Sequence, residues 1–156
     1  MESQVYECYP GQERFSYMFY SHGPRGRILK KVNFILGKMQ SAVVYNVSFG
    51  DVNGHTGKMD TDVVSDNADK NKVLLTVARI IMRFCRRYPQ AYVFAQGSSA
   101  ARNRLYQMMI SSRLDEIQKQ CKIYGILGSE IVAFQKNVNY DAFLMKAIGN
   151  VSFNKD

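Results

Sequence analysis

This sequence is poor in the residues from which metal sites and disulfide frameworks are made. It has 2 histidines and 3 cysteines in 156 residues. His22 and His55 belong to no cluster with metal-ligand spacing, so no zinc site is expected. Asp51, Asn53 and Asp62 fall at the first, third and twelfth positions of a calcium-loop frame. Thr56, however, stands where that loop needs glycine, and its last position is Asp rather than Glu, so no metal is expected. Cys8, Cys85 and Cys121 are odd in number, far apart and in no Cys-x-x-Cys spacing. They read as free thiols in a reducing compartment, Cys85 and Cys121 being buried in apolar patterns. Ser-His-Asp, Cys-His and paired-carboxylate arrangements are not recognisable, which removes support for hydrolase chemistry of those kinds. No apolar run approaches the roughly 18 residues of a membrane span. Met1-Glu2-Ser3-Gln4 is acidic and polar rather than a signal peptide, so a cytoplasmic protein without membrane association is expected. Repeats and low-complexity tracts are absent.

What is present is an ordinary globular composition with an unequal charge distribution. Hydrophobic residues make up 46% and charged residues 22%, which predicts one domain over 1–148 and a flexible tail over 149–156. The protein is basic, with a net charge of +8. From Lys70 to Leu114 there is no acidic residue, while Lys70, Lys72, Arg79, Arg83, Arg86, Arg87, Arg102, Arg104 and Arg113 are all basic. Just before this stretch, residues 51–69 hold Asp51, Asp60, Asp62, Asp66 and Asp69 against Lys58 alone. Such segregation fits an anionic partner for the basic part. It equally fits an acidic loop folded back onto a basic helix.

Hydrophobic periodicity gives the element order. Residues 15–21, 28–36 and 42–49 alternate and are rich in aromatic and β-branched side chains, so they read as a three-stranded meander. The polar connection 50–71 carries turn signals at Asn53-Gly54 and Thr56-Gly57. Asp69 is positioned to cap a helix over 70–88, in which Val73, Val77, Ile80, Ile81, Phe84 and Tyr88 face the core. Arg79, Arg83, Arg86 and Arg87 recur on another face of this helix, as a phosphate grip or a solvated stripe. Residues 92–95 form a short central strand. A second helix is expected over 99–120, with Leu105, Met108, Met109, Leu114 and Ile117 buried. Strands at 123–127 and 131–134 and a short final element at 139–148 follow. The fold class is α+β, with helices on a mostly antiparallel sheet.

The strongest chemical signal is Ala95-Gln96-Gly97-Ser98-Ser99-Ala100-Ala101-Arg102-Asn103-Arg104-Leu105-Tyr106. A strand turning through Gly-Ser-Ser into a helix aims backbone N–H groups at one point, which suits a phosphate. Ser98 or Ser99 is the N-cap. No Glu or Gln completes a capping box, and Arg102 and Arg104 oppose the helix dipole unless an anion sits there. Gly97, Ser98, Ser99, Arg102 and Arg104 are therefore the candidate anion-binding residues. The alternative is that the two arginines pair with the Asp-rich loop. Tyr106, one turn beyond Arg102, is placed to donate a proton or stack on a base, or else to fill the core.

Two resemblances add to this. Phe19, Ser21-His22-Gly23-Pro24-Arg25-Gly26-Arg27-Ile28, Phe49-Gly50-Asp51, Lys72-Val73-Leu74, Tyr88-Pro89, Gly97 to Tyr106 and Asn139-Tyr140-Asp141-Ala142-Phe143 resemble a family of small bacterial proteins of Bacteroidetes type, for which no activity is known. In topology, the meander, helix, strand, helix and two strands are similar to the latter part of the GCN5-related acyltransferases. There an Asn-x-x-Ala-x-x-Leu-Tyr helix start lies beside the acyl-CoA pyrophosphate channel, and its Tyr can protonate the departing thiolate. That role would pass to Tyr106. Those enzymes cradle the pyrophosphate with a Gln/Arg-x-x-Gly-x-Gly/Ala loop. Here Asn67-Ala68-Asp69-Lys70-Asn71-Lys72 has no glycine and an acid, which speaks against a coenzyme A thioester.

Three functions follow. One is an acyltransferase-like domain with a phosphate-bearing ligand at 97–104. Another is a nucleic-acid binder using Arg79, Arg83, Arg86 and Arg87 with Lys30 and Lys31, its bases stacked on Tyr17, Phe19 or Tyr45. The third is a protein-interaction module, such as a component of a toxin–antitoxin or phage-defence pair.

Overall fold

The computed structural model describes residues 4–37, 41–61 and 65–149. Within them the elements run β1 (Tyr9–Pro10), β2 (Ser16–Gly23), β3 (Gly26–Leu36), β4 (Val44–Val52), β5 (Met59–Asp60), α1 (Lys70–Arg87), β6 (Tyr92–Ala95), α2 (Ala100–Ser112), α3 (Leu114–Gln118), β7 (Cys121–Leu127), β8 (Glu130–Ala133) and β9 (Ala142–Ala147). The strands form a single mostly antiparallel sheet in the order β1-β2-β3-β4-β6-β9-β7-β8, and β5 adds to β4. The architecture is thus α+β, as expected. No described helix is long and apolar enough to cross a membrane.

The meander is β2, β3 and β4. The β2–β3 hairpin closes at Gly23 opposite Gly26, and Gly26 takes a φ of +85° that favours glycine. β4 and β6 run parallel, Val44 to Val47 against Tyr92 to Ala95. β9 lies antiparallel to both β6 and β7, so β6 and β7 also point the same way. α1 and α2 each leave the carboxyl end of one strand and lead to the next strand of the same direction. Such crossovers place successive helices on the same face of a sheet. Tyr106, Met109 and Ile110 of α2 accordingly join Val77, Ile81 and Phe84 of α1 in one core with Val32, Phe34, Val47 and Val93.

α1 forms because Val73, Val77, Ile80, Ile81 and Phe84 recur at helical spacing, and all five are buried. Phe84 stacks on Phe34 at 4.0 Å and takes Phe15 and Tyr45 edge-on. Tyr88 ends the helix and precedes Pro89, which disfavours a further turn.

The structure departs from expectation in several places. The second helix is broken. The Ser112 hydroxyl donates to the Met109 carbonyl, and the Arg113 N–H reaches the Ile110 carbonyl, which tightens and ends α2. Asp115 and Glu116 then start α3 with favourable charge. Met108, expected inside, is 39% exposed. Asp69 precedes α1 but makes no side-chain cap. Its carboxylate instead accepts the hydroxyls of Tyr6 and Ser21. The final element is a strand, β9, inserted between β6 and β7, and the short strands β1 and β5 were not expected. Of the tail expected over 149–156, residues 150–156 lie outside the described residues.

Candidate functional site

β6 pairs with β4 as far as Val47, and β5 takes up pairing with β4 again at Asp51. Residues 48–50 thus have no strand neighbour on that edge, at the carboxyl end of the parallel pair. Arg102, which is 4% exposed, fills this gap from the first turn of α2. Its Nη2 donates to the Phe49 carbonyl at 2.7 Å and its Nε to the Thr61 carbonyl at 2.7 Å. The guanidinium lies 4.8 Å over the Phe49 ring.

The 97–104 turn is built around tight backbone contact. A Cβ on Gly97 would sit 2.1 Å from the Asn103 nitrogen, so only glycine lets the helix start so close. Asn103 Oδ1 accepts the Gly97 N–H, and its Nδ2 donates to the Tyr140 carbonyl. Ser99 is the N-cap, its Oγ accepting the Arg102 N–H at 3.2 Å. The Ser98 hydroxyl donates to the Thr61 carbonyl at 3.1 Å. Arg104 is exposed and makes no ion pair with any described residue.

Ser98, Arg102 and Tyr106 come together around a hollow of about 210 Å³, completed by Ser48, Phe49, Thr61 and Gln96. Gly97, Ser99 and Arg104 do not line it. Its described lining holds one cation and no carboxylate, and the free end of α2 begins at its rim. Tyr106 is 5% exposed, and its hydroxyl makes no hydrogen bond with a described residue. Burial pushes this hydroxyl above its ordinary value of 10.0, with Arg102 pulling the other way. It is therefore a protonated donor at neutral pH.

Phe49 and Arg102 also border a second pocket, of about 250 Å³, against the start of α1. Here Lys30 and Lys70 are offset by Asp66 and Asp69, and Val73, Leu74 and Leu105 give an apolar wall. Lys30, 5% exposed, is held by Asp51 at 2.6 Å and by the Ser65 hydroxyl. Buried Asn67 donates to Ser21 Oγ and the Gly26 carbonyl while accepting the Arg25 N–H.

The basic stripe of α1 is solvent-facing. Arg79 Nε meets Glu116 at 3.1 Å, Arg86 meets Gln120 at 2.6 Å, Arg87 lies over the Tyr88 ring, and Arg83 is exposed. The Asp-rich loop does not cover this stripe through Asp51 or Asp69, which serve Lys30, Tyr6 and Ser21. The other part of the nucleic-acid expectation is corrected. Phe19 is fully buried, Tyr17 and Tyr45 pack against the core, and Lys31 is bonded to Glu13. Phe19 is closed to a base, and Tyr17 and Tyr45 are half-buried on the side of the sheet that meets the helices.

Lys30, expected with Lys31 on a nucleic-acid face, is instead buried against Asp51, and sequence reasoning missed Ser48, Thr61 and Gln96 in the hollow. Lys30 did carry a signal, since it shares parity with Val32 and Phe34 on an otherwise apolar strand face. The hollow residues carried none, because tertiary register alone assembles them.

Residues 2–148 match the model of a family of unknown function, DUF6934, and the chain belongs to that family. No curated protein and no solved structure matches it.

Proposed function

We propose that this member of the family binds a small phosphate-bearing ligand in the hollow at the start of α2, on a divergent acyltransferase-like fold. The observation that carries this reading is the Tyr106 hydroxyl. A buried hydroxyl without a partner is uncommon and usually awaits one. Tyr106 lines a hollow that Arg102 also borders, at the start of a helix, a setting that suits an anion. Ser98 and Gln96 supply further polar groups at the rim.

The sheet order supports the acyltransferase likeness. A meander leads through α1 into a strand parallel to its last member, and α2 then leads across to β7, with the final strand returning between them. Ligands of open sheets gather at the carboxyl ends of such parallel strands. Size and Arg102 restrict the ligand. A drug-sized ligand needs roughly 300 Å³ or more, so the hollow suits a phosphoryl or short acyl head with the remainder outside. Arg102 occupies the gap beside β4, so the remainder of the ligand would leave the hollow elsewhere. Tyr106 would donate a hydrogen bond to the bound anion and, in a transfer reaction, the proton that the leaving group needs.

The test is a thermal-shift titration with inorganic phosphate, acetyl phosphate, acetyl-CoA and ATP on wild type, Tyr106→Phe and Ser98→Ala. A ligand at about 100 times its Kd adds roughly 2.7 kcal/mol, or about 5–10 °C in a chain of this size. The expected result is such a shift with a small phosphate compound, reduced in both variants. No shift with any of the four compounds overturns the reading.

A further inference from the structure

The described helices lie on one face of the sheet. Tyr6 stacks on Phe19, Phe84 on Phe34, and the Tyr140 ring lies against Gly125 beside Phe143. In register, these strand residues share a face with Val93, Met145 and Ile123 of the core. The opposite face has no described helix over it. Across it run two rows. Phe94 is paired with Leu144 and Leu144 with Tyr124, while Tyr92 is paired with Lys146 and Lys146 with Lys122. None of these six side chains belongs to the core or packs against it, and none is classed as buried. Further along the same face the Arg27 guanidinium lies 4.0 Å over the Tyr20 ring.

The charge of this face is mainly positive, the carboxylate of Glu13 being held by Lys31. Its ionisable strand residues beyond His22 are Arg27, Lys31, Lys122 and Lys146, and no outward strand position carries a carboxylate. A second copy docked here would set cations against cations with only Glu13, already held by Lys31, to pair. Flat rings on a sheet beside Lys122, Arg27 and Lys146, the last also reaching the Pro89 carbonyl and the Tyr92 ring, match a different partner, one with π-faces and a phosphate chain. Phe94 and Tyr124 stand two strands apart, roughly 10 Å, so they would take splayed bases rather than a stacked duplex.

We propose that this uncovered sheet face binds single-stranded nucleic acid, with bases on Phe94, Tyr124 and Tyr92 and phosphates on Lys122, Lys146 and Arg27. The surface is separate from the hollow at Tyr106 and does not depend on it. It also differs from the α1 stripe of Arg79, Arg83, Arg86 and Arg87.

Fluorescence anisotropy with labelled oligouridine and oligodeoxythymidine of about 12 nucleotides, and with a duplex of equal length, tests this. The variants are Phe94→Ala, Tyr124→Ala, Lys122→Ala with Lys146→Ala, Arg83→Ala with Arg87→Ala, and Tyr106→Phe. The expected result is salt-sensitive binding of a single strand, with the duplex weaker and the two oligonucleotides showing whether RNA or DNA is preferred. Each ring variant weakens it roughly 5- to 100-fold, and the lysine pair flattens the log–log salt slope by roughly 1.4. Arg83→Ala with Arg87→Ala and Tyr106→Phe leave it unchanged. The lysines are side chains whose removal leaves the core intact, so they decide the matter even if a ring variant folds poorly. The proposal is overturned by absence of single-strand binding at low salt, or by loss of binding only in the α1 variant. It is equally overturned if sedimentation shows that Phe94→Ala dissociates a dimer while no oligonucleotide binds.

Discussion

The two faces of the sheet are built from similar side chains and end in opposite conditions. Phe19, Phe34, Phe49 and Phe143 on one face are each at most 5% exposed, while Tyr20, Tyr92, Phe94 and Tyr124 on the other escape full burial. The difference lies in the connections. Both crossovers deliver their helices to the same side, and no described helix precedes β2 to cover the other. Burial in this fold is therefore assigned by topology among residues of like hydrophobicity, and the face left over is the one available for a partner.

The largest effect that would break this comparison is on a matched pair of aromatic truncations. Phe84→Ala removes the ring stacked on Phe34 and is expected to destabilise by about 3–5 kcal/mol in urea unfolding. Phe94→Ala, on the open face, is expected to change stability by about 1 kcal/mol or less. Equal losses would mean that the open face is part of the core.

A smaller effect sharpens the comparison within the covered face. Lys30 is a charge on the buried side, tolerated because Asp51 and Ser65 meet it. Asp51→Ala strands that ammonium and should destabilise by about 3 kcal/mol, whereas replacing both partners, Lys30→Met with Asp51→Leu, should be nearly neutral. Lys31, one residue along and pointing the other way, is the internal control. Its partner Glu13 is exposed, and Glu13→Ala should be within about 0.5 kcal/mol of wild type.

Much of this was legible in the sequence, in proportion to how local the cause was. The α1 stripe of Val73, Val77, Ile80, Ile81 and Phe84 and the strand Tyr92–Ala95 follow from periodicity within one element. The Gly97-Ser98-Ser99 turn and the Ser99 cap follow from turn chemistry over a few residues. The parity of β2 was not legible, since Tyr17 and Phe19 alternate with Met18 and Tyr20, and both sets are apolar. Alternation predicts a strand there but does not say which set meets the helices. For the same reason alternation alone offers Tyr17 and Phe19 for base stacking, although both turn inward. Arg102 illustrates the limit most sharply. Its local sequence suits an anion site, yet its guanidinium is bonded to the carbonyl of Phe49, 53 residues away, a contact that no local pattern encodes.

Tyr106 gives the smallest expected effect and the most specific one. Its hydroxyl has no described partner, so Tyr106→Phe removes a buried polar group without breaking a bond. Stability near neutral pH should be unchanged or raised by up to about 1 kcal/mol. The alkaline limb is where the variants should part. The folded-state hydroxyl is held above the ordinary 10.0 by burial, so above that pH the unfolded chain loses this proton first. The unfolded state then binds fewer protons than the folded one, and stability falls as pH rises from about 10 through the folded value. Tyr106→Phe removes that share of the fall, while Tyr6 and Tyr17, also raised chiefly by burial, keep theirs. Urea midpoints measured from pH 8 to 11 should therefore decline less steeply in the variant than in wild type. Parallel declines would show that Tyr106 ionises as freely as a solvated tyrosine, and the hollow would lose the buried hydroxyl on which its reading as an anion site depends.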